Sequence, residues 1–246
     1  MKRNVSSLIG FTMGATDGEI GTVKDFYFDD MSWTIRYLIV ETGKLLSERK
    51  VLISPQSVLI PDWENKKFPV NLTMEKVRNS PDIDTEKPVF RQQEIKLYSH
   101  YPWSVYWTGG RTGMPPVSMY QVFESVEDDS NSPEGDPHLQ STDEVTGYDI
   151  KAIDGGIGEV EDFIIDDLTW KIDFMVIDTG KWLPGKKVLI SPSLIKDISW
   201  KLSGVMVSST VEDIKHSPEY DPKKPVDEVY ASMLTEHYNG VAKTRN

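Results

Sequence analysis

Apolar and polar residues alternate with a period of two through much of the chain. Trp33, Ile35, Tyr37 and Ile39 alternate with Thr34, Arg36, Leu38 and Val40, the pattern of a strand with one face turned to a core. Its later part is apolar in both registers, as in a strand covered on both sides. A preceding strand is predicted over Ile20 to Phe28, joined to it by the turn Asp29, Asp30, Met31, Ser32. Shorter strands are predicted at Leu8 to Met13, Lys50 to Ile53, Ser57 to Ile60 and Phe68 to Leu72, the last two separated by the polar turn around Asp62 to Lys67. Six short strands at this spacing predict a small β-barrel, whose closure removes exposed edges.

After the strands the period lengthens. Thr73 is predicted to cap a short helix, with Glu75 in its first turn where the helix dipole favours negative charge. Ser80-Pro81 stops it, and Pro88 suits the first position of a second helix.

The whole pattern then returns 137 positions later. From Asp17 to Pro55 against Asp154 to Pro192, 21 of 39 positions are identical without a gap, and the register reaches His100 and Tyr101 as His237 and Tyr238. The fold class is therefore mainly β: two tandem six-stranded barrels, each followed by short helices. The modules are placed at residues 1–101 and 142–246, a normal domain size. In the second copy Thr210 and Glu212 repeat the cap, Ser217-Pro218 the stop and Pro225 the second start. Val226, Val229, Tyr230, Met233 and Leu234 form an apolar stripe on the second helix, which Gln92, Gln93 and Lys96 weaken in the first.

The linker, 102–141, opens on Trp103, Tyr106 and Trp107 and ends in an acidic, Gly/Pro-rich run that reads as flexible. The three rings are expected to pack back on a module rather than stay in water. The second copy has no equivalent, and aromatics are enriched in binding hot spots, so these residues are also interaction candidates.

The chain carries 27 Lys and Arg against 39 Asp and Glu, a net charge of −12. The deficit lies in the linker and the second module. An acidic protein forfeits the phosphate attraction behind most nucleic-acid affinity, so no nucleic-acid partner is expected. No apolar run approaches the ~20 residues of a membrane helix, and Met1 to Gly10 lacks the apolar core of a signal peptide. No membrane insertion is expected. Zero cysteines remove thiol chemistry and fit a cytoplasmic protein.

The runs DGEIGTVKDFYFDDMSW and DGGIGEVEDFIIDDLTW resemble the start of a PRC-barrel domain. The KVLISP strands and the segments SPDIDTEKPV and SPEYDPKKPV extend the resemblance, which is to bacterial proteins made of two such barrels. The family takes its name from the cytoplasmic barrel of the H polypeptide of the photosynthetic reaction centre. It includes the C-terminal domain of ribosomal RNA maturation factors. The resemblance implies a barrel used for protein–protein contact, without catalytic residues. It also leaves two alternatives, an RNA-maturation factor and a peripheral photosynthetic or electron-transport protein.

Asp17, Asp25, Asp29 and Asp30, with their four echoes, are the most tempting chemistry. Their spacing does not fit a calcium-binding EF-hand, and Asp at tight turns bonds its own backbone. Asp17-Gly18 and Asp29-Asp30 read as turn-formers, and no catalytic, metal or cofactor site is expected. His100 and His237 are expected to complement the dipole at the ends of the second helices. Outward positions change charge between copies: Lys24 becomes Glu161 and Arg36 becomes Asp173. Either this is drift on exposed strands, or the two ribbons meet across a pseudo-twofold axis. A homodimer of the whole chain can use the same contact. Lys24, Arg36, Glu161 and Asp173 are therefore interaction candidates too. The partner protein is not identified by the sequence.

Overall fold

The computed structural model describes residues 1–46, 48–81, 91–106, 139–180 and 185–244. The protein is mainly β. The first repeat contributes β1 (Lys2–Asn4), β2 (Thr12–Ala15), β3 (Gly18–Asp29), β4 (Thr34–Thr42), β5 (Lys50–Ile53), β6 (Lys67–Pro69), α1 (Met74–Arg78) and α2 (Arg91–His100). Then follow β7 (Leu139–Ser141), α3 (Thr142–Val145), β8 (Asp149–Lys151), β9 (Gly156–Asp166), β10 (Ile172–Asp178), β11 (Lys187–Ile190), β12 (Ile195–Ser199), β13 (Gly204–Val207), α4 (Val211–Lys215) and α5 (Glu228–Thr244).

Among the described residues these strands form two sheets. A seven-stranded sheet has the order β11-β10-β9-β8-β13-β12, with β1 also on β9. A six-stranded sheet has the order β5-β4-β3-β2-β6, with β7 also on β3. The first strand of the chain therefore pairs with a strand of the second repeat, and β7 pairs with a strand of the first. Accordingly the compact units cut across the repeat. One comprises Met1–Ile9, Asp25–Ile35 and Gln140–Asn246; the other comprises Gly10–Lys24 and Arg36–Leu139.

Alternation gives way to continuous burial where the pattern is apolar in both registers. Tyr37, Leu38, Ile39 and Val40 are all buried in β4, as are Phe26, Tyr27 and Phe28 in β3. In the unit holding most of the second repeat, Ile164, Phe174, Val176 and Leu189 pack with Val226, Leu234 and Tyr238. Each such side chain contributes about 1.5–3 kcal/mol on burial. Two echoed glycines let β3 and β9 approach their neighbours. A Cβ on Gly21 would lie 2.0 Å from the Glu41 carbonyl oxygen, and one on Gly158 would lie 2.0 Å from that of Asp178.

Several predicted elements shift, for local reasons. Ser57 to Ile60 forms no strand; Pro55–Ser57 is a 3-10 turn, and only Val58 makes a bridge, to Val70. Pro61 has no N–H to continue a ladder, whereas Ile198 stands at the echoed position and lies in β12. The strand predicted at Leu8 to Met13 begins at Thr12, because Gly10 turns the chain at φ 86°. The Lys67–Pro69 strand ends at a proline, short of Leu72.

Thr73 and Thr210 cap their helices as the sequence reads, accepting from the N–H of Lys76 and of Asp213. Pro225 is not the start of the last helix. Asp227 caps it, its carboxylate accepting from Tyr230 N–H at 2.8 Å. Of the expected stripe, Val226 and Leu234 are buried, but Val229 and Met233 face outward.

Because α5 continues to Thr244, His237 does not sit at its end. Its ring nitrogen bonds the Asp213 carbonyl at 2.8 Å, as that of His100 bonds Lys76 at 2.7 Å. Each histidine thus fastens a second helix to the short helix before it.

Candidate interaction site at the paired hairpins

The β3–β4 turn and the β9–β10 turn are built alike. The Asp29 carboxylate accepts from Met31 N–H at 3.0 Å and from the Ser32 hydroxyl at 2.9 Å. Asp166 accepts from Leu168 N–H at 3.1 Å and Thr169 N–H at 2.9 Å. Each turn closes with a bond from a tryptophan N–H, Trp33 to Asp29 O at 2.7 Å and Trp170 to Asp166 O at 2.8 Å. Both tryptophans take a left-handed backbone, with φ 53° and 58°, a conformation that costs an L-residue about 1–2 kcal/mol.

Reciprocal contacts offset that cost. Ile35 N–H donates to Trp170 O at 2.8 Å, and Ile172 N–H donates to Trp33 O at 2.7 Å. Thr34 and Lys171 between them form an antiparallel bridge. Phe28 stacks on Trp33 with centroids 5.5 Å apart and meets Phe163 at the same separation. Both tryptophans end nearly buried, each 8% exposed. At the tips, Met31 is 73% and Leu168 83% exposed, apolar side chains at positions where turn chemistry favours polar ones.

A second set of reciprocal bonds fastens a short segment across each hairpin. Asp25 accepts from the hydroxyls of Ser141 and Thr142 at 2.6 and 2.8 Å and from Asp143 N–H at 3.0 Å. Asp162 accepts from the Asn4 amide at 2.9 Å, the Ser6 hydroxyl at 2.5 Å and Ser6 N–H at 3.0 Å. Each also accepts from the N–H that follows it. Gln140 bonds Asp30 at 3.0 Å, and Arg3 bonds Asp167 at 2.6 Å. Burial pushes the Asp25 carboxyl above its ordinary value, and the hydrogen bonds from Ser141, Thr142, Phe26 and Asp143 pull against it. Asp17 and Asp154 serve their own repeats: they accept from the first N–H of α1 and of α4, Met74 and Val211, at 2.7 and 2.8 Å.

Every aspartate of the repeated motif thus has a hydrogen-bonding partner within the protein. Residues 2–75 match the family model of the PRC-barrel domain. No curated protein matches the chain. The PRC-barrel segment runs from β1 into α1. It contains Asp17, Asp25, Asp29 and Asp30, whose echoes lie 137 residues further on.

Within the PRC-barrel segment, Lys24 pairs with Glu41 at 2.9 Å, and the Arg36 guanidinium lies 3.8 Å over the Tyr106 ring. In the second repeat Glu161 pairs with Lys187, and Asp173 with Lys2. Each of the four charges has a partner within its own compact unit.

Trp103 is 5% exposed, stacks on Tyr101 with centroids 4.2 Å apart and donates its indole N–H to the Ser57 hydroxyl at 2.7 Å. Tyr106 donates to Glu94 at 2.8 Å, beside a second bond from Tyr37 at 2.5 Å. Burial, with the neighbouring Glu94 charge, raises the Tyr37 phenol well above its ordinary value. Trp107 and the Gly/Pro-rich and acidic parts of the expected linker up to residue 138 lie outside the described residues.

The sequence reading missed β1 and β7. Three-residue strands show no periodicity, but Arg3, Asn4 and Ser6 do align with Gln140, Ser141 and Asp143 at the same 137-residue offset. Among the described residues no helix is long and apolar enough to cross a membrane.

Proposed function

We propose that the protein is a non-catalytic interaction protein, its two repeats two PRC-type barrels, and that the paired hairpin turns form its contact surface. The observation that carries this reading is the exposure of Met31 and Leu168, 73% and 83%, at equivalent tips bridged to each other through Thr34 and Lys171. Exposed apolar side chains repeated at the same turn mark a surface made for contact rather than for water. The motif's aspartates support the non-catalytic half of the reading, because their oxygens are committed to the protein's own N–H and O–H groups. A cytoplasmic site of action belongs to the same reading and rests on the absence of cysteine.

The test is affinity capture from lysate with the unmodified chain and with Met31→Asp combined with Leu168→Asp. A stoichiometric protein held by the first and lost with the second is the expected result. Equal recovery with both chains, or no stoichiometric protein with either, overturns the reading.

A further inference from the structure

The bonds that fasten the repeats together come in matched halves. Residues 2–6 lie on the β9–β10 hairpin through β1 and Asp162, with Lys2, Arg3 and Asn4 in register with Asp166, Ile165 and Ile164. Residues 139–143 lie on the β3–β4 hairpin through β7 and Asp25. Arg3 on Asp167 answers Gln140 on Asp30, and the two backbone bonds around Thr34 and Lys171 answer each other. Such reciprocity is the signature of an isologous contact, in which the same patch serves on both sides. Nothing in these bonds requires both halves to belong to one molecule.

We propose that the same contact joins two copies of the chain. Residues 1–106 of one copy sit on residues 139–246 of the other, and the converse, giving a closed dimer by exchange of repeats. This deepens the reading of the protein as an interaction protein by naming a second copy as a partner. Every bond that fastens the repeats within one chain is kept in the dimer, so the two forms differ chiefly in connectivity. Their ratio after folding is set by competition between closure within a chain and meeting of two chains. Exchange requires breaking all the matched bonds, so chains that have already folded interconvert slowly.

The absence of cysteine in the chain allows a direct test. Thr34 and Lys171 are a directly opposed antiparallel pair without bonds between their own backbones. Such a pair has Cα atoms about 4.5 Å apart, within disulfide reach. Chains carrying Thr34→Cys and chains carrying Lys171→Cys are unfolded together, refolded at about 1 μM and about 500 μM, and then oxidised. A mixed disulfide dimer whose yield rises roughly in proportion to concentration is expected, with none from chains mixed after folding.

Thr34→Cys with Lys171→Cys in one chain serves as the geometric control and closes its own bridge. Absence of the mixed dimer at the higher concentration, with that control closed, overturns the proposal. The unmodified chain supplies a second measurement by light scattering after the same refolding. A monomer at both concentrations overturns the proposal even if the control bridge does not form. Because only this chain is present, failure here is distinct from failure to capture another protein from lysate.

Discussion

The carboxylate of Asp25 accepts the hydroxyl of Ser141 at 2.6 Å, across 116 residues of sequence. With Thr142 and the N–H groups of Phe26 and Asp143 it replaces the water shell of a largely buried charge. Removing the acceptor leaves those donors without their partner, at about 1–3 kcal/mol for a buried polar group. Asp25→Ala is therefore expected to lower stability by about 3 kcal/mol and Asp25→Asn by less, since the amide oxygen still accepts. Urea unfolding of the full chain measures both. A change below about 0.5 kcal/mol in the alanine variant would place Asp25 among ordinary surface residues.

The two motif carboxylates Asp25 and Asp166 titrate with opposite sign. Burial raises Asp25 above 3.8, despite hydrogen bonds that lower it. The folded state then holds the proton more tightly than the unfolded chain. Its contribution is fully present below 3.8 and is lost as pH rises through the folded value. For Asp166 burial also raises, but the bonds from Thr169 and Leu168 outweigh it and the carboxyl ends below 3.8. Its contribution is present above 3.8 and is lost as pH falls through the folded value. The deficit of Asp166→Asn relative to wild type should therefore shrink on acidification below about pH 4. That of Asp25→Asn should grow over the pH window just above 3.8 as pH falls. Urea unfolding from about pH 3 to pH 7 reads both slopes.

Backbone approach makes two glycines irreplaceable. Gly158→Ala puts a methyl 2.0 Å from the Asp178 carbonyl oxygen at a residue with φ 139°. Gly21→Ala meets the Glu41 carbonyl at the same 2.0 Å. Neither backbone can yield without breaking its ladder, so each substitution should cost more than about 3 kcal/mol or prevent folding. Gly10 has φ 86° but open space, so Gly10→Ala should cost only about 1 kcal/mol of backbone strain. Thermal unfolding of the three variants ranks them.

The hairpins were legible in the sequence because period-two burial is strong where one face is buried: Lys50–Ile53 forms as predicted, and β3 and β4 shift by at most two residues. The turn aspartates were legible as structural residues. Asp25 and Asp162, which lie inside strands rather than turns, anchor segments more than a hundred residues away. No local pattern encodes that, because a hydrogen bond between distant segments leaves only an ordinary Ser, Thr or Asn at the far end. The outward faces of α5 show a similar limit. Val229 and Met233 share helical spacing with Leu234, but Leu234 is buried in the core and the other two are exposed.

Trp103 separates packing from binding. Its ring stacks on Tyr101, meets Tyr98 edge-on and bonds Ser57. Trp103→Ala should cost about 3–5 kcal/mol through the cavity it leaves and the lost indole bond. Trp103→Phe keeps most of the volume and should cost less. If Trp103 mainly packs, both variants bind any partner captured through Met31 and Leu168 as wild type does, once unfolding is allowed for. Calorimetric stability measured beside capture distinguishes the two roles.

Arg49 and Lys186 stand 137 residues apart and perform the same task with different chemistry. One guanidinium nitrogen of Arg49 donates to the carbonyls of Arg78 and Ser80, both at 2.9 Å, and more weakly to Val77 at 3.3 Å. The ammonium of Lys186 donates to Lys215 and Ser217, at 2.6 and 2.8 Å. Each cation thus gathers the carbonyls left over at the end of a five-residue helix, α1 or α4. Such short helices do not persist on their own, so loss of the cation should loosen them before the sheets. Arg49→Ala should speed amide exchange across residues 77–80, and Lys186→Ala across 214–217, each by about tenfold for about 1.4 kcal/mol. The planar guanidinium has more fixed donors than the ammonium, so Arg49→Lys should recover only part of the protection, whereas Lys186→Arg should retain it. Hydrogen exchange read by mass spectrometry on the four variants decides, and equal protection in all of them would mean that the helix ends are held by their own capping bonds alone.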